Sequence, residues 1–263
     1  MLVRLIALDP WAVTAGRAGI GAAVLAGYLL WRSPRAPFRL GRGAVRVGLY
    51  SAAAVVLWVP ALQYSTVANV LTIYAALPFL VAGIAWAWLG ERPAAHTLAA
   101  SVVATAGLMV MLGGPGSVGL RLGDVLAFAG TLISAMMTVE ARRSATSAMV
   151  PATLLANLLA ALVTLPFAGA LLGAGPREWG ILVLLALCGA SVGLVLYLIG
   201  SALIPAALTA LISTLAVPAG VFFAWIGVGE LPSAGQVLGA AIVLAGVTGA
   251  LLVDQRLVVQ PRT

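Results

Sequence analysis

Few side chains in this 263-residue chain can make a directed contact with a solute, and they recur at helical spacings. Thr131, Ser134 and Thr138 stand at i, i+3 and i+7, which puts three hydroxyls on one face of a helix. Asn69 and Thr72 are one turn apart, Thr209 and Ser213 likewise, and Ser51 shares a face with Trp58 seven residues on. Tyr74, Ser191 and Tyr197 complete the set. Such groups form hydrogen bonds and offer aromatic faces, so the chemistry they suggest is recognition of a neutral or zwitterionic solute. Each hydroxyl has a competing use as interhelical glue, worth about 0.6 kcal/mol.

Catalytic chemistry lacks its parts. Cys188 is the only cysteine, His96 the only histidine, and all 14 basic residues are arginine. A disulfide framework, a Cys/His metal site and lysine Schiff-base chemistry are therefore excluded. No enzyme, metal or cofactor is expected. Arg17, about two turns into an apolar run, can snorkel to an interface, pair with an acid or hold a substrate carboxylate. Glu140 reads as an interfacial salt-bridge partner beside Arg142 and Arg143, and Asp124, after Gly123, reads as a helix N-cap. No carboxylate is predicted at depth, so proton coupling has no evident carrier.

The elements that position these groups follow from composition. The chain is 63% apolar and 8% charged, with a mean hydropathy of +1.14. An ordinary soluble domain carries roughly 25% charged residues, so the expected class is an all-α polytopic membrane protein. Apolar runs of spanning length predict about nine transmembrane helices. They fall near 10–31, 44–63, 66–89, 95–113, 121–143, 148–172, 178–201, 206–227 and 233–253. Connections such as Arg32–Pro37, Gly113–Gly116 and Gly173–Pro176 are short, leaving no room for a soluble domain.

With nine spans, Arg32, Arg35, Arg39, Arg42, Arg46, Arg92, Arg142, Arg143, Arg256 and Arg262 share one side, against Arg4, Arg121 and Arg177 on the other. Positive loops stay in the cytoplasm, which predicts a cytoplasmic C-terminus, and the heavy use of Ala, Gly, Leu and Arg points to a bacterial inner membrane. The scattered arginines form no nucleic-acid patch. The partners expected are a small-molecule substrate and the lipid bilayer. The ladder Ala15, Gly19, Ala23, Gly27 is a packing signal within the bundle, with homodimerisation as its alternative.

A repeat at an offset of about 139–140 residues organises the chain. Ala85-Trp86, Gly90-Glu91 and Pro93 recur as Ala224-Trp225, Gly229-Glu230 and Pro232, and Ser51 falls opposite Ser191. Gly ends one helix and Pro starts the next in each box. Five predicted crossings separate the two glutamates, so the halves are inverted. Pro78 and Pro218 match and are hinge candidates. The expected organisation is 1–113 as first repeat, 114–120 as linker, 121–254 as second repeat and 255–263 as cytoplasmic tail. The counterpart of span 121–143 is expected just upstream of residue 3, with Met1 to Leu8 as its last turns.

The span start Pro10–Arg17, the run Trp88-Leu89-Gly90-Glu91-Arg92-Pro93, Gly123-Asp124, Ala141-Arg142-Arg143 and Gly229-Glu230-Leu231-Pro232 together resemble the EamA family of the drug/metabolite transporter superfamily. The resemblance implies two five-helix inverted repeats and transport by alternating access, with export ranked above uptake by family analogy alone. It also marks two departures: the first family helix is not evident, and span 206–227 carries Leu208 and Ala216 where relatives often place carboxylates. The candidate cavity residues are Trp58, Asn69, Thr72, Tyr74, Ser134, Thr138, Ser191, Tyr197, Thr209, Ser213 and Arg17. Apolar amino acids are the substrate expected; alternatives are a nucleotide-sugar or lipid-linked-sugar transporter and a non-transporting membrane subunit.

Overall fold

The computed structural model describes residues 8–32, 41–113, 121–144, 149–229 and 231–259, and is helical throughout them apart from turns and short connections. Glu230, most of the Arg32–Pro37 and Gly113–Gly116 loops and nearly all of Met1–Leu8 lie outside the described residues. Among the described residues, nine helical runs are long and apolar enough to cross a membrane. In order the elements are α1 (Pro10–Arg32), α2 (Arg42–Tyr64), α3 (Val67–Tyr74), α4 (Leu77–Leu89), α5 (Ala95–Leu112) and α6 (Leu122–Arg143). They continue as α7 (Met149–Thr164), α8 (Pro176–Leu185), a π-helical segment Ala186–Gly193, α9 (Leu194–Leu203), α10 (Ala206–Ser213), α11 (Ala216–Val228) and α12 (Ala234–Val259).

Three of the expected spans are interrupted, and proline accounts for two of the breaks. Pro78 has no N–H to donate to the Tyr74 carbonyl four residues back, and its ring crowds that carbonyl. The chain answers with a tighter turn, Ala76 N–H to Ile73 O at 3.1 Å, and restarts as α4 with Pro78 in its first turn. Pro218 does the same in the second repeat, where Leu215 N–H reaches Ile212 O at 3.1 Å and α11 restarts. The breaks thus fall two to three residues before Pro78 and three to four before Pro218. The third interruption is the π-helical stretch between α8 and α9, where Leu194 N–H bonds Gly189 O, five residues back. Span 148–172 also ends early as an α-helix, at Thr164, and continues in 3₁₀ turns over Leu165–Phe167 and Gly169–Gly173.

Corresponding helices of the two repeats pack on each other: α1 lies along α7, and α5 along α12. At the second contact a Cβ on Gly239 would meet the Gly107 carbonyl and Met111, and a Cβ on Gly107 would lie 2.8 Å from Gly239 O. Around it Ala104, Leu108, Val243 and Val247 form a buried cluster. α6 lies along α2 and touches α4, α3 and α9. It has no counterpart among the described residues of the first repeat.

The Ala15–Gly27 ladder does not work as expected. Only Ala15 is buried, while Gly19 and Gly27 have nothing near a built Cβ. A four-residue step turns the helix about 400°, so three steps rotate the ladder roughly 120° off its starting face. The buried face of α1 runs instead through Ala15, Ala18, Ala22, Leu25 and Leu29. Its close approaches are at Gly16, whose built Cβ would sit 2.9 Å from Leu182 Cδ1, and at Gly21, whose built Cβ would sit 3.2 Å from Ser191 Oγ.

The boxes end their helices through left-handed glycines, Gly90 at φ 69° and Gly229 at φ 75°, a conformation that costs glycine nothing. Pro93 and Pro232 do not start the next helices; α5 and α12 begin two residues later, at Ala95 and Ala234.

Candidate functional site

A cavity of about 530 Å³ opens between α2, α3, α4, α6, α9, α10 and α11, within the size range of small-molecule sites. Trp58, Tyr74, Ser134, Tyr197 and Ser213 supply its polar and aromatic wall; Leu71, Leu77, Met137, Ile212 and Ala216 make the rest apolar. Both proline breaks deliver residues here, Tyr74 from the end of α3 and Ser213 from the end of α10. Ser134 stands twelve residues into α6, about 18 Å along a helix of about 33 Å. The site is therefore near mid-span.

Its geometry is held by bonds that cross the bundle. Trp58 and Tyr74 meet edge to face, ring centroids 5.2 Å apart at 73°. The Tyr197 and Thr138 hydroxyls are 2.7 Å apart, tying α9 to α6. Tyr74 and Ser213 line the same wall, so the two proline-broken spans meet at the cavity. The Ser134 and Thr138 hydroxyls donate to their own helix, at Gly130 O (2.8 Å) and Ser134 O (2.9 Å), leaving acceptor capacity free. No charged side chain lines this cavity among the described residues. It can hold a solute with an apolar or aromatic body and a few hydrogen-bonding groups.

The other candidates stand elsewhere. Thr138 acts from behind Tyr197. The Thr72 hydroxyl is buried with no hydrogen-bond partner among the described residues, off the cavity wall. Thr209 donates back to Pro205 O at 3.3 Å. Ser191 sits in the π-helical segment, its hydroxyl 3.5 Å from Gly21 O. Arg17 lines a separate, smaller cavity. Pro78 and Pro218 occupy the first turns of α4 and α11. Met137, which spacing could have found at i+3 from Ser134, joins the wall.

Asn69 belongs to a polar cluster at the α6 N-terminus. Asp124 accepts from Ser65 Oγ, from Asn69 Nδ2 at 3.3 Å and from the Arg121 backbone N–H at 3.1 Å. Asp124 is thus not the N-cap itself. Arg121 holds that position, and Asp124 reaches back from the third residue of the helix, the capping-box geometry. Asp124→Ala is expected to strand three donors at once and lower the thermal midpoint more than Asn69→Ala, which takes away only one of those three; a thermal melt in detergent checks the order.

At the opposite, arginine-rich end the ion pairs differ from those expected. Glu140 pairs with Arg46 of α2 at 2.7 Å, across the α2–α6 contact, and not with its neighbours in sequence. Arg142 reaches Glu91 at 2.9 Å and the Ala202 carbonyl at 3.0 Å. The second Glu91 oxygen lies 3.5 Å from the Ala206 N–H. The first repeat's Gly-Glu box thereby clasps α6 to the turn between α9 and α10. Nothing in the spacing marks this pairing, because its members are 51 residues apart.

Comparison with known proteins agrees with this architecture. The model of the EamA-like transporter family matches residues 2–113 and 121–252. No curated protein matches the chain. Among solved structures 29 chains match. One, described only as the crystal structure of a protein, superposes with a TM-score of 0.80 at 23% identity, over 95% of this chain and 90% of its own. That likeness concerns the fold.

Proposed function

Because this chain belongs to the EamA-like transporter family, and so is a multi-pass membrane transporter, we propose that its cargo is a small neutral or zwitterionic organic solute such as an apolar amino acid. The observation that carries this reading is the uncharged mid-span cavity, where Trp58 and Tyr74 face the hydroxyls of Ser134, Tyr197 and Ser213. Aromatic faces accept an apolar side chain, and the hydroxyls serve amino and carboxylate groups without burying a fixed protein charge beside them. An activated sugar would require cations for its phosphates, and the wall offers none among the described residues.

Movement is read as the rocking of two inverted halves, 1–113 and 121–254, about the cavity. The turns at Ala75–Ala76 and Thr214–Leu215 are the flexing points, since each lacks a regular helical bond ahead of its proline. The excess of arginines on one side supports a cytoplasmic C-terminus in a bacterial inner membrane.

Counterflow in proteoliposomes tests the cargo. Liposomes loaded with unlabelled leucine are expected to accumulate labelled leucine transiently, with no proton gradient imposed. Exchange of a nucleotide sugar with no exchange of apolar amino acids would overturn the reading and favour the sugar alternative.

A further inference from the structure

A second cavity, of about 140 Å³, lies between α1, α7, the π-helical segment and facing residues of α2 and α9. It is about a quarter the size of the central one. Arg17 and Asn157 are its polar residues, and Val55, Ala156, Ala160 and Leu194 close it with apolar surface. Arg17 stands seven residues into α1, about 10 Å along the span. No carboxylate or other acceptor among the described residues pairs with its guanidinium. Charges at membrane depth mostly occur paired or facing a polar cavity. Arg17 therefore faces inward, into the bundle, with a net positive charge that nothing among the described residues balances.

The surroundings suit an anion. Asn157, 140 residues after Arg17 and on the corresponding helix of the second repeat, donates one N–H to Ala190 O at 2.7 Å. An amide carries two such donors, so one remains for a ligand. Gly189 and Ala190 bring almost no side chain to the wall. They belong to the π-helical segment, whose widened turn is of a kind frequent at functional sites. The volume suits one planar or tetrahedral oxyanion group and not a whole metabolite.

We propose that Arg17 and Asn157 hold one oxyanion group, a carboxylate or a phosphate, in the cavity between α1, α7 and the π-helical segment, apart from the central cavity. A guanidinium binds such a group through two parallel N–H bonds, and Asn157 adds a third donor from the opposite repeat. The bound anion then joins the two halves across α1 and α7. This site does not depend on the identity of the transported solute.

The test uses the full chain in neutral detergent, with thermal midpoints measured against sodium acetate and inorganic phosphate at constant ionic strength. The wild type is expected to show a saturable rise that Arg17→Gln loses. Asn157→Asp guards against a folding defect: it gives up the bond to Ala190 O but places a carboxylate across the cavity from Arg17, whose ion pair offsets that loss, so it is expected to fold and also lose the response. An unchanged response in Asn157→Asp, or no response in a wild type carrying no anionic lipid, would overturn the site. Native mass spectrometry separates the sources of the group. A phosphatidylglycerol retained by the wild type and lost from both variants identifies a lipid headgroup; a response to acetate with no retained lipid identifies a soluble anion. Retention of the lipid equally by all three proteins, with no anion response, would overturn the proposal.

Discussion

Trp58→Ala is expected to cut counterflow at least about tenfold while the protein stays folded. The indole lines the central cavity and meets Tyr74 edge to face at 5.2 Å. Such a pair is worth about 0.5–1.5 kcal/mol beyond the area it buries. Its removal widens the cavity and frees the Tyr74 ring, so the solute loses both a direct contact and the orientation of a second one. About 1.4 kcal/mol is a factor of ten in binding, which these two losses together reach. Asn69→Ala is the matched control, because Asn69 bonds Asp124 at 3.3 Å and does not line the cavity. It is expected to lower the thermal midpoint and leave the apparent affinity for solute near that of the wild type. The reverse pattern, with affinity lost in Asn69→Ala and kept in Trp58→Ala, would move the binding site to the α6 N-terminus.

A methyl group at Gly123 is expected to destabilise the protein by about 1–3 kcal/mol or more, the scale of overpacking in a closed site. A Cβ there would collide with the Tyr64 backbone carbon and lie 2.5 Å from Ser65 N and 2.7 Å from Ala61 O. Backbone cannot swing aside as a side chain can, so α6 would have to separate from the end of α2. The separation would also pull Asp124 away from Ser65. Gly130→Ala on the same helix is expected to behave oppositely. Its nearest neighbours would be Leu57 Cβ at 3.6 Å and Trp58 Nε1 at 3.7 Å, ordinary contact distances. Replacing a mid-helix glycine by alanine gains up to about 1 kcal/mol of helix propensity. Thermal melts of the two variants side by side check the contrast, and equal gains would show that helix propensity and not the α2–α6 contact governs α6.

Composition by itself determined that the chain lies in a bilayer, because in hydrocarbon a backbone must satisfy its own polar groups and so becomes helix. The period of apolar runs determined the spans to within a few residues, and the recurrence of Gly-Glu-x-Pro determined that they form two related sets. The cavity residues were legible in part for the same local reason. Ser134 stands out as a hydroxyl at depth, and Trp58, Tyr74 and Tyr197 as aromatics carrying a polar handle. What spacing could not decide was where each helical face would turn. Asn69 and Trp58 are alike as polar groups on apolar helices, yet one folds against Asp124 and the other opens on the cavity. Glu140 sits two and three residues from arginines in sequence, but its partner is Arg46, brought by the packing of α2 on α6. The breaks at Ala75–Ala76 and Thr214–Leu215 were announced by Pro78 and Pro218, but that they deliver Tyr74 and Ser213 to one wall is a fact of tertiary packing. So is the meeting of Arg17 and Asn157, which 140 residues separate along the chain. Helix formation is local, set by bonds four residues apart, whereas a helix's rotation about its axis is set by the neighbours it packs against.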